Sequence, residues 1–333
     1  MERLEELRRF TDKSALGLEI AAFFNPIVPK SQGYRAMVLD VFDAQRLRAN
    51  ALHDPAIPKD RIGEIEEVDI VADASTLGHE VQTRGLAGQF DYIVSSHNFE
   101  HLPDPIRFLQ GCVIALKPGG TVSMAMPDYR ACFDHFRMPT RLSDWLGAYH
   151  EARQQPSPQT HFDSLSNLSI YRSGDVDGGS CNLYRDDPAL FAPQVDLRKA
   201  YDEYLADPGP YRDAHCSVMF GASFELMVRD LIYLGLIDFE VVAVTKTRGH
   251  EFFAHLRKPL TAGASVPSDA NHYARREVLL RSINAQLGRA GFPHQLFGLR
   301  HAETTLKSVV RNLLGGQKMQ RLSALNKSLR GRH

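Results

Sequence analysis

The chain has 333 residues, of which 43% are hydrophobic and 24% charged, and its formal net charge is −1. This length is sufficient for a large buried core, and the composition is ordinary for a soluble globular protein. The near-neutral charge excludes a global electrostatic attraction to nucleic acid, so no nucleic-acid partner is expected.

The cysteines and the first residues indicate the compartment. The four cysteines lie far apart, which excludes a CxxC zinc or redox motif: Cys112, Cys132, Cys181 and Cys216. We therefore expect reduced thiols and no metal site. The start, MERLEELRRF, lacks the apolar core of a signal peptide, and no run of eighteen apolar residues predicts a membrane span. These features predict a cytoplasmic protein.

The first 127 residues alternate strand and helix patterns. Helical spacing covers 2–10, 44–52 and 104–116, and the KPGG sequence at 117–120 ends the last of these helices. Short apolar runs predict buried strands at 15–20, 36–42, 67–73, 90–96 and 121–127. Such alternation predicts an α/β fold of the Rossmann-like, doubly wound class, with a mostly parallel seven-stranded sheet once the later strands are added.

The pattern changes after residue 127. Residues 128–215 are rich in Tyr, His, Pro and Gly and predict an irregular or helical insert. An amphipathic helix is predicted at 223–236, and alternating strands at 239–246 and 251–258 predict an antiparallel edge hairpin. We therefore predict a Rossmann-like domain of 1–127 and 216–258, a substrate-cap insert of 128–215, and a linker with a basic helical C-terminal extension of 259–333.

Acidic residues stand where the predicted strands end. Glu19, Asp40 and Asp73 close the first three strands, and the fourth runs into SSHNFEHL. Ligands of doubly wound sheets bind at the carboxyl ends of the strands. A nucleoside cofactor needs an acid for its ribose hydroxyls and an acceptor for its adenine amino group, and Asp40 and Asp73 have these positions. Either acid alone could instead cap a helix.

The run FDYIVSSHNFEHLPDPIRFLQGCVIALKPGGTVSMAMPDYR resembles class I S-adenosylmethionine-dependent methyltransferases. The landmarks are Asp91, the triplet Glu100–Leu102 and the LKPGG sequence. LEIAAFFNPIVPK, VDIVADAS and DYRACFDHFR are similar to a bacterial subfamily often associated with glycan biosynthesis. The resemblance covers 15–137 and extends more weakly to 216–258.

The resemblance implies that S-adenosylmethionine is the cofactor and that the acceptor is a small molecule or is linked to a glycan. It implies a role for each cofactor-binding candidate. The methionine part would lie against Glu19, Ile20, Ala21 and Ala22; the ribose against Asp40; the adenine against Asp73 and Ala74; and the sulfonium near Ser96 and His97.

The first loop departs from the family pattern. Methyltransferases usually have ExGxGxG here, because the backbone approaches the cofactor closely, whereas this chain has EIAAFFNP. Alanine can replace a glycine whose φ is negative, but Phe23 is harder to accommodate. The alternative is a non-catalytic binding or scaffold protein with a lapsed cofactor site. The absence of GxGxxG argues against a nicotinamide enzyme.

The segment 128–137, DYRACFDHFR, follows the fifth strand and is predicted to open over the site. A hydroxyl acceptor needs a base, and the catalytic candidates are His97, Asp128 and His135. Arg130 and Arg137 could hold an acceptor by bidentate hydrogen bonds, with His215 as a third binding residue. The alternative is a salt-bridged turn that anchors the insert.

Two further features leave alternatives open. The aromatic residues of the insert suit a sugar acceptor, a packed cap or a homodimer contact. The basic tail from His301 to His333 has apolar residues at helical spacing, so it could lie on an anionic membrane surface or pack on a neighbouring helix.

Overall fold

The structure is a computed structural model that describes residues 2–55, 57–173, 176–206 and 212–291. The first 127 residues alternate helices and strands in the order α1 Arg3–Leu7, β1 Gly17–Ile20, β2 Ala36–Asp40, α2 Ala44–His53, β3 Ile70–Val71, α3 Leu77–Thr83, β4 Phe90–Ser96, α4 Pro105–Ala115 and β5 Leu116–Pro127. The remaining elements are α5 Leu142–His150, α6 Pro158–Ser166, β6 Ser169–Ser173, β7 Val176–Gly178, β8 Phe191–Pro193, α7 Leu197–Leu205, α8 Gly221–Tyr233, β9 Glu240–Val244, β10 Glu251–Arg257 and α9 Asp269–Gly291.

Seven strands form one sheet in the order β3-β2-β1-β4-β5-β10-β9. The first five are parallel to their neighbours, whereas β10 runs antiparallel to both β5 and β9. The predicted Rossmann-like α/β class with its antiparallel edge hairpin is confirmed. The strand β5 begins five residues earlier than predicted, because the KPGG sequence belongs to the strand rather than to a turn. There Gly119 has φ 82°, and its N–H donates to the carbonyl of Lys258.

Alternate residues of the central strands face two different clusters, as the strand geometry requires. One face carries Ile93 of β4 and Phe252 of β10 and packs against α3, α4, α5 and α8 in the largest cluster. The other face carries Tyr92 and Phe253 and contacts Leu7 of α1 in a smaller cluster. The short helix α1 therefore covers the second face.

Gly17 in β1 permits close packing with β4. The two strands place Gly17 directly opposite Tyr92. A Cβ atom at position 17 would lie 2.1 Å from the Tyr92 ring, which is closer than any real contact. The Tyr92 ring thus occupies the space that the side chain of any other residue at position 17 would need. Glycine at this position therefore permits the close approach of β1 and β4, beside which the crevice lies.

The insert has more regular structure than predicted. Besides α5, α6 and α7, it contains a three-stranded antiparallel sheet in the order β7-β6-β8. These strands have only three to five residues, so their pattern is too short to distinguish from a loop in the sequence. A small cluster lies beneath them and contains Ala131, Tyr171, Cys181 and Phe191.

The chain divides into a compact unit of residues 1–279 and a second unit from residue 280 onward. The predictions for the tail beyond residue 291 lie outside the described residues. Among the helices that the structure describes, none is both long enough and apolar enough to cross a membrane.

Candidate functional site

The strand order reverses between β1 and β4, which are neighbours in the sheet. The crevice at the carboxyl ends of the strands beside such a reversal is where doubly wound sheets bind ligands. Because β1 to β5 are parallel, their last residues lie along one edge: Ile20, Asp40, Val71, Ser96 and Pro127. The antiparallel strand β10 brings its first residue, Glu251, to the same edge opposite Pro127.

Glu19 lies inside the protein and holds the loop that follows β1. Its carboxylate accepts hydrogen bonds from the backbone N–H of Ile27 at 2.6 Å and of Val28 at 2.9 Å. Burial raises the pKa of Glu19 to about 7, although the two N–H donors favour the charged form. Glu19 therefore shapes the loop from within. Its neighbour Ile20 is also buried, as part of the main core.

The loop keeps a backbone path that normally requires glycine. Ala21 and Phe23 occupy the first two glycine positions of the ExGxGxG pattern, and their φ angles are 55° and 42°. The expectation that alanine replaces a glycine of negative φ is thus wrong at Ala21. A left-handed conformation costs a non-glycine residue about 1–2 kcal/mol. The chain retains this strained path without the residue that relieves it.

The two aromatic rings of the loop pack on the side of α2. Phe23 and Phe24 meet edge to face, with centroids 5.3 Å apart. Both pack against a cluster formed by Leu47, Ala51, Ile57 and Ile65. This packing buries part of the Phe23 side chain and so accommodates it in spite of its left-handed backbone. Ala22, between Ala21 and Phe23, is buried.

Ala21→Gly is expected to raise the free energy of unfolding by about 0.5–1 kcal/mol. The relief of about 1–2 kcal/mol of left-handed strain exceeds the entropy of roughly 0.4–1 kcal/mol that glycine adds to the unfolded chain. Ala22→Gly is the matched control. Ala22 is buried and has an ordinary φ, so this variant should be less stable than the wild type. Urea denaturation of the two variants measures the difference, and equal destabilisation of both would disprove strain at Ala21.

Asp40 and Asp73 follow β2 and β3 in different surroundings. Asp40 is 6% exposed, and its Oδ1 accepts the N–H of Phe42 at 3.2 Å. Burial raises the pKa of the Asp40 carboxyl, and the two backbone N–H groups beside it only partly offset this. Asp73 caps the short 3-10 helix Ala74–Thr76 through Ser75 at 2.7 Å. Asp73 therefore caps a helix with one of its two oxygens, as the alternative proposed, whereas the buried Asp40 is not a helix cap.

Ser96 and His97 end β4 among charged groups. The Ser96 hydroxyl oxygen accepts a hydrogen bond from Arg3 of α1 at 2.5 Å. His97 has φ 49° and lies between Glu251, at 3.1 Å, and Glu100, at 3.4 Å. Burial lowers the pKa of His97, but these two carboxylates outweigh it and raise the pKa to about 9. His97 is consequently an imidazolium at neutral pH and is unsuited to accept a proton.

Asp128 and Arg130 form a buried pair at the start of the segment 128–137. Asp128 is fully buried and accepts hydrogen bonds from the Arg130 guanidinium at 2.6 Å and from the Thr247 hydroxyl at 2.5 Å. The Arg130 guanidinium also lies 4.3 Å from the centre of the Phe220 ring. This pair joins the end of β5 to the residues between β9 and β10, which is the role of an anchor.

Arg137 is also buried, with 3% of its side chain exposed. It donates to Asp134 at 2.8 Å and to Asp163 of α6 at 2.7 Å, while Asp134 accepts from His215 at 2.5 Å. His135 bonds the Arg130 carbonyl at 2.7 Å and stacks on Phe191 of β8. These contacts correspond to the salt-bridged turn that was the alternative for this segment, and they tie the insert to the sheet.

Comparison with known proteins gives one family. Residues 19–172, just under half of the chain, match a family model described as a methyltransferase domain. This part of the chain is similar to methyltransferase domains. The cofactor of class I methyltransferases is S-adenosylmethionine. No curated protein sequence matches the chain.

Three solved structures are similar to this chain at low sequence identity. An S-adenosylmethionine dependent methyltransferase from Mesorhizobium loti is 12% identical, with 77% of this chain and 98% of that chain covered and a TM-score of 0.37. One described as a SAM-dependent methyltransferase, from Methanosarcina mazei, is 14% identical, with 78% and 99% covered and a TM-score of 0.34. The PH0226 protein from Pyrococcus horikoshii is 14% identical, with 77% and 89% covered and a TM-score of 0.38.

Several residues that lie at this edge of the sheet were not identified from the sequence. Arg3, His250 and Glu251 lie far from β4 in the sequence, and the fold brings them to Ser96 and His97. His250 lies 5.9 Å from His97, between ring centroids. Burial lowers the pKa of His250; the carboxylate of Glu251 acts to raise it, and the positive charges of His97 and Arg3 act to lower it. Only Glu100 had a signal, its spacing of three residues from His97.

Proposed function

We propose that this protein transfers a methyl group from S-adenosylmethionine to a small-molecule or glycan-linked acceptor. The observation that carries the proposal is the environment of Asp40. Its carboxylate is buried at the end of β2, where the backbone N–H of Phe42 donates to Oδ1. Buried carboxylates are normally satisfied by donors, and the two ribose hydroxyls of the cofactor are donors of the required kind.

The surroundings of Asp40 fit the rest of the nucleoside. Val41, the next residue, is 51% exposed and offers an apolar surface to the adenine ring. Asp73 follows β3, and Ala74 beside it is buried. With Oδ1 bonded to Ser75, the second oxygen of Asp73 would accept the adenine amino group. The loop at Ala21 and Ala22, shaped by Glu19, would lie against the methionine part.

S-adenosylmethionine supplies an activated methyl group when it is bound. Around Ser96, the chain sets two positive groups, Arg3 and the His97 imidazolium, against Glu100 and Glu251. Because these four charges balance, they add no net repulsion beside a sulfonium. They also tie the end of β4 to α1 and β10. Alignment of the acceptor with the methyl group supplies much of the catalysis in such displacements.

A hydroxyl acceptor must lose a proton, and His250 is the best placed base. Among the predicted bases, His97 is protonated and Asp128 is paired with Arg130, while His135 bonds a carbonyl and stacks on Phe191. Burial lowers the pKa of His250, so its imidazole is neutral at pH 7, and it lies beside His97 at the same edge. His250 would accept the proton that a hydroxyl acceptor loses on methylation, for which the bound cofactor would supply the methyl group, keep the electron pair of the sulfur–methyl bond and leave as S-adenosylhomocysteine.

The insert supports a sugar-bearing acceptor and a role as a substrate cap. Exposed aromatic side chains of this region suit the apolar faces of sugar rings. Tyr184 is 68% exposed, and Tyr201 stacks on Tyr204 with centroids 6.4 Å apart. We therefore assign acceptor binding to the surface of the insert rather than to the buried Arg130 and Arg137.

Asp40→Asn is expected to weaken S-adenosylmethionine binding by about 1–3 kcal/mol, or 5- to 150-fold, because a charged acceptor of two hydroxyls is lost. Asp43→Asn is the matched control. Asp43 is exposed and lies three residues after Asp40, so its substitution removes the same charge nearby. Asp43 caps α2, and asparagine can cap a helix equally well. Isothermal titration calorimetry measures both. Equal affinities in the two variants would exclude Asp40 from the site.

A further inference from the structure

Three potential ligands converge behind the end of β4. Glu100 and His101 lie in the 3-10 helix Phe99–His101, and His215 comes from the end of the insert. One oxygen or nitrogen atom from each lies within 4.8 Å of the other two. The three side chains are thus close enough for a single ion to bridge them.

The backbone fixes this approach. The N–H groups of Cys216 and Ser217 both donate to the carbonyl of Glu100, at 2.6 Å and 3.0 Å. The Ser217 hydroxyl also accepts a hydrogen bond from the buried Trp145 at 2.9 Å. His215 is consequently held against the 3-10 helix by the chain itself, independently of any attraction between the three side chains.

Each histidine is oriented by a carboxylate on the same ring nitrogen. His101 Nδ1 lies 2.9 Å from Asp213, and His215 Nδ1 lies 2.5 Å from Asp134. Since carboxylates accept, Nδ1 of each ring donates to its carboxylate, and Nε2 is the nitrogen that remains for an ion. Metal-binding histidines are almost always fixed in this way, with the second nitrogen donating to a carboxylate or carbonyl.

Glu100, the third potential ligand, has a buried carboxylate oxygen without a hydrogen-bond donor among the described residues. Its side chain is 1% exposed, and Oε2 is buried with no hydrogen-bond donor among the described residues. An unpartnered carboxylate oxygen is among the most unfavourable groups to bury. The neighbouring His97 contacts Oε1 and leaves Oε2 unsatisfied. A cation at this position would supply what the protein does not.

We propose that Glu100, His101 and His215 bind one divalent transition-metal ion of the zinc class. Two imidazoles and one carboxylate suit Zn²⁺, Co²⁺ or Fe²⁺, whereas Mg²⁺ and Ca²⁺ prefer oxygen ligands alone. Ligands of tetrahedral zinc lie about 2.0–2.2 Å from the ion, so the present separations must close by roughly 1 Å. His101 is 30% exposed and gives the ion a route from solvent. This site does not depend on methyl transfer.

The test uses the full chain after treatment with a chelator. Titration with Co²⁺, followed by visible absorption and by competition with Zn²⁺, is expected to give one ion per chain and a spectrum of nitrogen and oxygen ligation. His101→Gln, in the partly exposed ligand, should weaken binding by more than about 100-fold, and Asp213→Asn by about 10–100-fold. His79→Gln, in an exposed histidine of α3, should leave affinity unchanged.

The outcome is independent of the cofactor, because no S-adenosylmethionine is present in the titration. Glu100→Gln, in the buried ligand, is expected to abolish binding, and circular dichroism checks that it folds. If Glu100→Gln does not fold, His101→Gln alone decides. The absence of stoichiometric binding, or unchanged Co²⁺ affinity in His101→Gln, would overturn the metal site without affecting the proposed methyl transfer.

Discussion

Arg137→Ala is expected to lower the free energy of unfolding by about 3–5 kcal/mol, the range for breaking a buried ion pair by removing one partner. The guanidinium is 3% exposed and bonds both Asp134 and Asp163. Its loss removes the guanidinium that pairs with the buried Asp134, which His215 still contacts, and it disconnects α6 from the segment after β5. Denaturant unfolding measures this effect directly.

Arg141→Ala provides a matched comparison. Arg141 forms the same kind of pair three residues apart, with Asp144, but its side chain is 77% exposed. An exposed pair contributes less than about 1 kcal/mol, so this variant should unfold almost as the wild type does. If Arg137→Ala were as stable as the wild type but defective in methyl transfer, Arg137 would bind the acceptor. Its proposed role in anchoring the insert would then be refuted.

The contribution of Glu19 to stability is expected to fall by about 3 kcal/mol between pH 4.5 and 7.5. The folded pKa is about 7 and the reference value is 4.5, so the folded state holds a proton that the unfolded chain releases in this interval. Stability therefore decreases as the pH rises, by at most about 1.4 kcal/mol per pH unit. The contribution is fully present below pH 4.5 and is lost as the pH rises through 7.

Glu19→Gln removes the titration and isolates this effect. The unfolding free energies of wild type and Glu19→Gln are compared at pH 5 and pH 8, and the wild type should lose about 3 kcal/mol relative to the variant. A difference that stays constant, or that changes in favour of the wild type at pH 8, would mean that the N–H bonds from Ile27 and Val28 keep the carboxylate charged throughout.

Much of the fold could be predicted because it depends on local patterns. The strand predicted at 90–96 has the same bounds as β4, since its run of apolar residues is bounded by turn residues on both sides. The sheet class followed from the alternation of strands and helices, and the edge hairpin from β-type alternation. The positions of Asp40 and Asp73 at strand ends followed from the same reasoning.

The rest depends on contacts and backbone angles that no local pattern encodes. The partners of His97 include Glu251, which is 154 residues away, and that pairing decides whether His97 can be a base. The left-handed φ of Ala21 is invisible in a residue type that normally avoids it. The burial of Arg137 was likewise hidden, because a charged residue after a strand end is more often exposed than enclosed.

The most direct test of the account is calorimetric titration of the folded full chain with S-adenosylmethionine and with S-adenosylhomocysteine. We expect saturable binding of both at one site per chain, with the affinity reduced in Asp40→Asn and retained in Asp43→Asn. A folded protein that takes up neither ligand at millimolar concentration would contradict it.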